Sequence, residues 1–280
     1  MSHNSDISSI AKIAYLGPEG TYSQLAALEF FGDDAQLLKC GSIDDVFAAV
    51  ESKRAAYGIV PVENSTEGAV NNTQDCLIDS SARIIGEQVV SIEHSLLAQM
   101  GTSKSDVIKI ASHKQSLAQC RGYLAKNFPE AEQIECSSNA EAAVLAQADP
   151  KAAAIASELA GRLYSLQSLD SRIQDKSNNR TRFLVLALTD APPTGADKTS
   201  ILVYTENKPG ALFRVLEPFE NFQLSLTKIE TRPSKKEAWE YVFFIDFEGH
   251  IEDEATKKLF AALGKGGVEV KILGSYPLSK

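Results

Sequence analysis

Four stretches of this 280-residue chain set small polar side chains where an apolar run stops. Leu16 runs into Gly17-Pro-Glu-Gly-Thr-Tyr-Ser23, and Val62 into Glu63-Asn-Ser-Thr-Glu-Gly68. Ile110 leads to Ser112-His-Lys-Gln-Ser116, and Glu135 to Cys136-Ser-Ser-Asn139. Read singly, each Ser, Thr or Asn is a helix N-cap. Four together point further, because ligands of open α/β sheets lie beyond the carboxyl ends of the strands. Helix N-termini there offer unpaired N–H groups and a positive dipole end, both suited to an anion. The pattern predicts a cleft for a small, negatively charged, oxygen-rich ligand. Thr21, Ser23, Asn64, Ser65, Ser112 and Gln115 are its expected polar lining. Asn64 ranks first, since it follows a buried strand and its amide both donates and accepts. Gly17–Ser23 is neither GxGxxG nor a Walker loop, so a nucleotide is disfavoured.

These residues need elements to hold them. Apolar runs at 13–16, 57–62, 108–112 and 152–156 read as strands, each preceding an amphipathic stretch that reads as a helix, at 22–31, 68–79, 114–127 and 157–164. Strand–helix alternation implies a mostly parallel sheet covered on both faces. Residues 83–99 are β-branched and carry no helical pattern, so they read as an extended crossover between two α/β lobes. The run 183–188 is the last strand before Asp190-Ala-Pro-Pro-Thr-Gly-Ala-Asp197, a linker by composition. The expected domains are therefore 1–190 and 198–280. The second reads βαββαβ, the ferredoxin-like order.

Composition bounds the function. Apolar residues are 44% and charged residues 23% of the chain, ordinary for a soluble globular protein. No run approaches the ~18 apolar residues of a membrane span, and Met1 to Ser9 does not read as a signal peptide. The net charge of −9 argues against nucleic acid as a partner. It resides in the first 197 residues, because 198–280 hold 12 basic and 12 acidic residues. Cys40, Cys76, Cys120 and Cys136 show no CxxC spacing, so no metal site is indicated, and free thiols fit a reducing cytoplasm.

Taken in order, Gly17-Pro-Glu-Gly-Thr-Tyr-Ser23, Pro61-Val-Glu-Asn-Ser65, Ser112-His-Lys-Gln115 and Asn179-Arg-Thr-Arg-Phe183 resemble the prephenate dehydratase family, in its monofunctional bacterial form. Gly210-Ala-Leu-Phe213 and Glu230-Thr-Arg-Pro233 resemble the ACT regulatory domain such enzymes carry. The resemblance runs from about Ile13 to Leu278. It implies a two-lobed, periplasmic-binding-protein-like catalytic domain and conversion of prephenate to phenylpyruvate in phenylalanine biosynthesis. It also implies no cofactor and feedback by L-phenylalanine through ACT domains paired in a homodimer, with tetramers common. Arogenate dehydratases share the motifs, so arogenate is the alternative substrate. A non-catalytic small-molecule sensor with an ACT domain is the alternative of another class.

By the same resemblance Thr181 acts on the leaving hydroxyl. Glu63 and His113 are candidate proton sources, and Asn64, Ser112 and Gln115 complete the catalytic set. Arg180 and Arg182 are the nearest cations in sequence, suited to gripping carboxylates with paired hydrogen bonds. Phe183 follows them in the motif. His94, in Glu-His-Ser-Leu, reads as structural. The effector site is placed at Gly210, Ala211, Leu212, Phe213, Ser225, Glu230, Thr231, Arg232 and Pro233. Ser225 replaces a common asparagine and Thr231 a usual serine.

Overall fold

The structure, a computed structural model, describes residues 11–205, 208–233 and 241–279. Met1 to Ser9 lie outside these. The chain opens with β1 (Lys12–Leu16), α1 (Tyr22–Phe31), β2 (Gln36–Cys40), α2 (Ile43–Glu51), β3 (Tyr57–Asn64), β4 (Gly68–Ala69), α3 (Asn71–Asp79) and β5 (Arg83–Ser91). A second series follows: β6 (Ser95–Gln99), β7 (Lys109–His113), α4 (Lys114–Gln119), α5 (Arg121–Asn127), β8 (Glu132–Cys136), α6 (Asn139–Ala148), β9 (Ala152–Ala156), α7 (Glu158–Leu163) and β10 (Leu166–Asp170). Strand β11 (Arg180–Ala187) returns to the first sheet, whose order is β2-β1-β3-β11-β5 with β4 on β3. The second sheet runs β10-β6-β9-β7-β8.

The pairs β1–β2, β1–β3, β7–β8 and β7–β9 are parallel, as strand–helix alternation requires. Strand β6 runs antiparallel to both its neighbours, β10 and β9, a departure from the mostly parallel expectation. The physical reason lies in the crossover. Residues 83–99 form two strands rather than one, and the break at Ile92–His94 delivers β6 into the second sheet from the opposite end.

Small residues set the second lobe's packing. Strand β9, Ala-Ala-Ala-Ile-Ala, is buried throughout. Ala154 and Ala156 cluster with Ala142, Ala143 and Ala146 of α6, so helix and sheet meet closely. A larger side chain here would overpack at a cost of about 1–3 kcal/mol.

The C-terminal series is β12 (Asp197–Thr205), α8 (Ala211–Asn221), β13 (Leu226–Pro233), β14 (Tyr241–Glu248), α9 (Glu254–Lys265) and β15 (Glu269–Pro277). Its antiparallel sheet has the order β13-β14-β12-β15. Val215, Phe219, Leu259 and Leu263 from the helices cover Ile201, Val203, Phe243, Ile245 and Phe247.

Packing groups the chain non-contiguously. One unit comprises residues up to Gln74 with Gln88–Phe183, the other Asp75–Glu87 with everything from Leu184. The short segment is bound into the second unit by charge and by close backbone approach. Lys271 Nζ donates to the carbonyls of Leu77, Ile78 and Ser80 at 3.1, 2.8 and 2.7 Å, closing the end of α3. Lys198 Nζ lies 2.9 Å from the Glu87 carboxylate in a buried pair. A Cβ on Gly274 would stand 2.1 Å from Ile84 O, so only glycine fits there.

Candidate active site

Within the first unit the two lobes face one another across an open cleft of about 420 Å3. Strand ends and helix starts build its walls. Thr21 caps α1, accepting from Gln24 N at 3.4 Å while its hydroxyl donates to Leu16 O at 3.1 Å. Gly20, at φ +84°, packs so tightly on α7 that an added Cβ would meet Ala160 Cβ at 3.1 Å. Ser157 donates to Gly20 O at 3.0 Å, joining this loop to the second lobe. Across the cleft, Asn139 opens α6, and its Oδ1 faces Ser112 Oγ, His113 N and Ser116 Oγ at 3.0, 3.2 and 3.0 Å. With that oxygen occupied, the Asn139 amide nitrogen has no protein partner among the described residues and lines the cleft.

The floor is an ordered polar chain. Asn64 Oδ1 accepts from Thr66 N, Thr66 Oγ1 and Glu67 N at 2.9, 2.6 and 3.2 Å. Its Nδ2 donates to Asn179 Oδ1 and Thr181 Oγ1, both at 2.9 Å. Thr181 thus receives a hydrogen bond on its oxygen and keeps its own proton free to donate. Asn179 Nδ2 donates to Gln119 Oε1 at 3.2 Å, which also lies 2.9 Å from His94 Nε2.

Strand alternation sorts the expected residues. Thr21, Ser23, Asn64, His113, Gln115, Thr181 and Phe183 line the cleft. Glu63, Ser65, Ser112, Arg180 and Arg182 are absent from its lining. Glu63 adjoins Asn64 on β3 and so takes the opposite face. Glu67, on the following turn, faces the cleft instead, and desolvation holds its carboxyl above the usual range against the pull of His113. Arg180 and Arg182 alternate with Thr181 and Phe183 on β11 and point away. Ser65 is a clasp, accepting from Arg180 N at 2.9 Å and donating to Asn178 O at 3.2 Å. Ser112 is fully buried and supports Asn139 and Ile155 O.

The residues missed were Tyr22, Glu67, His94, Gln119, Asn139 and Asn179. Three carried a signal: Asn179 lies two before Thr181 on the same face, Gln119 one helical turn after Gln115, and Asn139 ends a cluster already singled out. No Arg or Lys lines the cleft among the described residues. An anion there meets the first-turn amides of α1 and α6, hydroxyls and side-chain amides. Lys176 borders an adjoining chamber that shares Glu67, Gln115, Gln119 and Asn179. Among the described residues no His, Cys, Asp and Glu cluster could hold a metal ion, and no helix is long and apolar enough to cross a membrane.

A family model described as prephenate dehydratase matches residues 13–191. The chain belongs to that family. A model of the ACT domain matches residues 199–265. The bifunctional chorismate mutase/prephenate dehydratase of Aquifex aeolicus is 50% identical over 266 residues, covering 95% of this chain and 73% of that protein. The prephenate dehydratase of Methanocaldococcus jannaschii is 35% identical over 273 residues, covering 95% and 98%. Among solved structures, prephenate dehydratase from Arthrobacter aurescens in complex with L-Phe superposes with a TM-score of 0.87 at 32% identity, covering 95% and 90%. This prephenate dehydratase family member therefore joins the catalytic domain of a hydro-lyase to an ACT domain.

Proposed function

We propose that the chain converts prephenate to phenylpyruvate in the 13–191 domain and that the ACT domain regulates it. Prephenate is a cyclohexadiene dianion. Breaking the bond to the ring carboxylate releases carbon dioxide and sends its electron pair into the ring, while the opposite C–O bond breaks and the oxygen leaves with a proton as water. Aromaticity drives the reaction, and the poor leaving group is the obstacle. Thr181 meets it by donating a hydrogen bond to the departing oxygen, where charge accumulates. Asn64 orients that donor, and Glu67, which lines the cleft where Glu63 does not, is the acidic group that supplies the proton. The observation carrying this reading is the Asn64 Nδ2 to Thr181 Oγ1 bond, which leaves the threonine proton aimed at no protein acceptor. Ultraviolet detection of phenylpyruvate from purified protein and prephenate tests it. With arogenate alongside, a higher kcat/KM on prephenate is expected, and the reverse order assigns the arogenate reaction.

The two arginines give a sharper check. Turned from the cleft, they contribute no carboxylate clamp. Arg180→Gln should leave kcat/KM within about threefold, since exposed substitutions change energies by about ±0.5 kcal/mol. A large rise in KM would restore the clamp.

The effector is L-phenylalanine, bound beside Gly210–Phe213 and Glu230–Pro233. The Arthrobacter complex supports this, as does local geometry. Gly210 caps α8 at φ +76°, and Leu212 and Phe213 are 37% and 66% exposed, apolar surface suited to an aromatic ring and a second ACT domain. Ser225 and Thr231 are exposed, and Glu230 pairs with Lys228 at 3.1 Å. Arg232 is engaged elsewhere: its Nη2 lies 2.6 Å from Asp75 Oδ1 on α3. It therefore serves as a link between β13 and α3 rather than as a free ligand for the effector. Calorimetry should detect L-phenylalanine binding at millimolar concentration, with a coupling of about 1–3 kcal/mol to substrate. Asp75→Asn should weaken inhibition while leaving uninhibited turnover intact.

A further inference from the structure

The polar chain beneath the cleft has a direction that can be read from one end to the other. It starts at backbone amides, which only donate, so Asn64 must present its oxygen to Thr66 N and Glu67 N. Its nitrogen therefore faces Asn179, which must answer with Oδ1 and turn Nδ2 toward Gln119. Gln119 must then offer Oε1, and that oxygen lies 2.9 Å from His94 Nε2. An amide oxygen only accepts, so this ring nitrogen must carry a hydrogen. Gln119 Nε2 is left for Glu67 Oε1 at 3.5 Å, consistent in sign.

The far side of the ring is held as well. His94 Nδ1 lies 3.0 Å from the Tyr22 hydroxyl, whose single proton is shared between that nitrogen and Glu93 O at 2.6 Å. The His94 backbone N–H donates to Gln174 Oε1 at 3.0 Å, and the residue is 1% exposed. A ring with Nε2 bare would require Gln119 to turn over. That would set its oxygen against the Glu67 carboxylate and its nitrogen against Asn179 Nδ2. Asn179 would turn in its place and confront Asn64, which the backbone amides prevent from following.

We infer that His94 is a positioning residue for the dehydration: its Nε2–H holds Gln119 and, through Asn179 and Asn64, keeps the Thr181 proton directed into the cleft. This rests on the reading of Thr181 given above. It gives the structural reading of His94 a specific task in the dehydration.

Nitrogen-15 NMR of the His94 ring in the intact wild-type chain reads the protonation site directly. A proton on Nε2 is expected, and a proton on Nδ1 alone overturns the inference. In kinetics, His94→Leu should lower kcat roughly 10²-fold with KM nearly unchanged, as loss of alignment does. His94→Gln, whose terminal amide nitrogen reaches the Nε2 position, should restore most of it. Equal loss in both variants, or none in His94→Leu, overturns the inference. If His94→Leu does not fold, the wild-type spectrum decides alone. Thr181→Val run in parallel separates the two readings: normal turnover there removes the role of Thr181, whereas the site of ring protonation stands independently of it.

Discussion

Thr181→Val is expected to lower kcat about 10²–10³-fold, the usual cost of removing one donor from a site of developing negative charge. Valine keeps the branched shape and the strand preference, so the 9%-exposed position on β11 should stay packed. The donor serves the departing oxygen only as the C–O bond lengthens. Its loss should therefore appear in kcat, with KM and inhibitor affinity little changed. Thr181→Ser, which keeps the hydroxyl, should recover much of the rate. Steady-state kinetics on prephenate make the comparison, and near-wild-type turnover in the valine variant would remove Thr181 from the chemistry.

Asn64→Asp should do more damage with less change of shape. The carbonyl oxygen that accepts from Thr66 and Glu67 is retained, so the turn after β3 persists. The nitrogen that donates to Asn179 and Thr181 becomes an oxygen. A carboxylate there attracts the Thr181 proton to itself and withdraws it from the leaving group. It also adds negative charge beside a dianion, in a cleft whose lining has no Arg or Lys among the described residues. A lost donor is worth about 2.7–4 kcal/mol, and like-charge juxtaposition costs several kcal/mol more. The combined loss in kcat/KM should reach about 10⁴-fold, since about 1.4 kcal/mol is tenfold. Unlike the valine change, it should raise KM as well as lower kcat. A variant within tenfold of wild type would show that the Asn64–Thr181 bond is incidental.

The two arginines and Glu63 show why motif proximity misleads. Arg180 and Arg182 are one residue either side of Thr181, and Glu63 is one before Asn64. On a strand one residue is half a period, so each neighbour lands on the other face. Spacing by two would have found Asn179 and excluded the arginines. Gln119 was within reach for a similar reason, a helical turn beyond Gln115. His94 was not, because it belongs to no strand or helix and lies in the break between β5 and β6.

The sequence by itself determined the local rules: small polar residues where strands end and helices begin, a βαββαβ order at the C-terminus, and an ordered set of motifs belonging to one family. Those are short-range matters, decided by capping, periodicity and turn chemistry. Only the tertiary structure decided which side chains share the cleft, because Asn64, His94, Gln119, Asn179 and Thr181 meet across separations of up to 117 residues. It also decided that Asp75–Glu87 packs with the C-terminal unit, through Lys198, Arg232 and Lys271. Hydrogen-bond direction and charge pairing depend on who the neighbour is, and neighbours so distant along the chain are chosen by the fold.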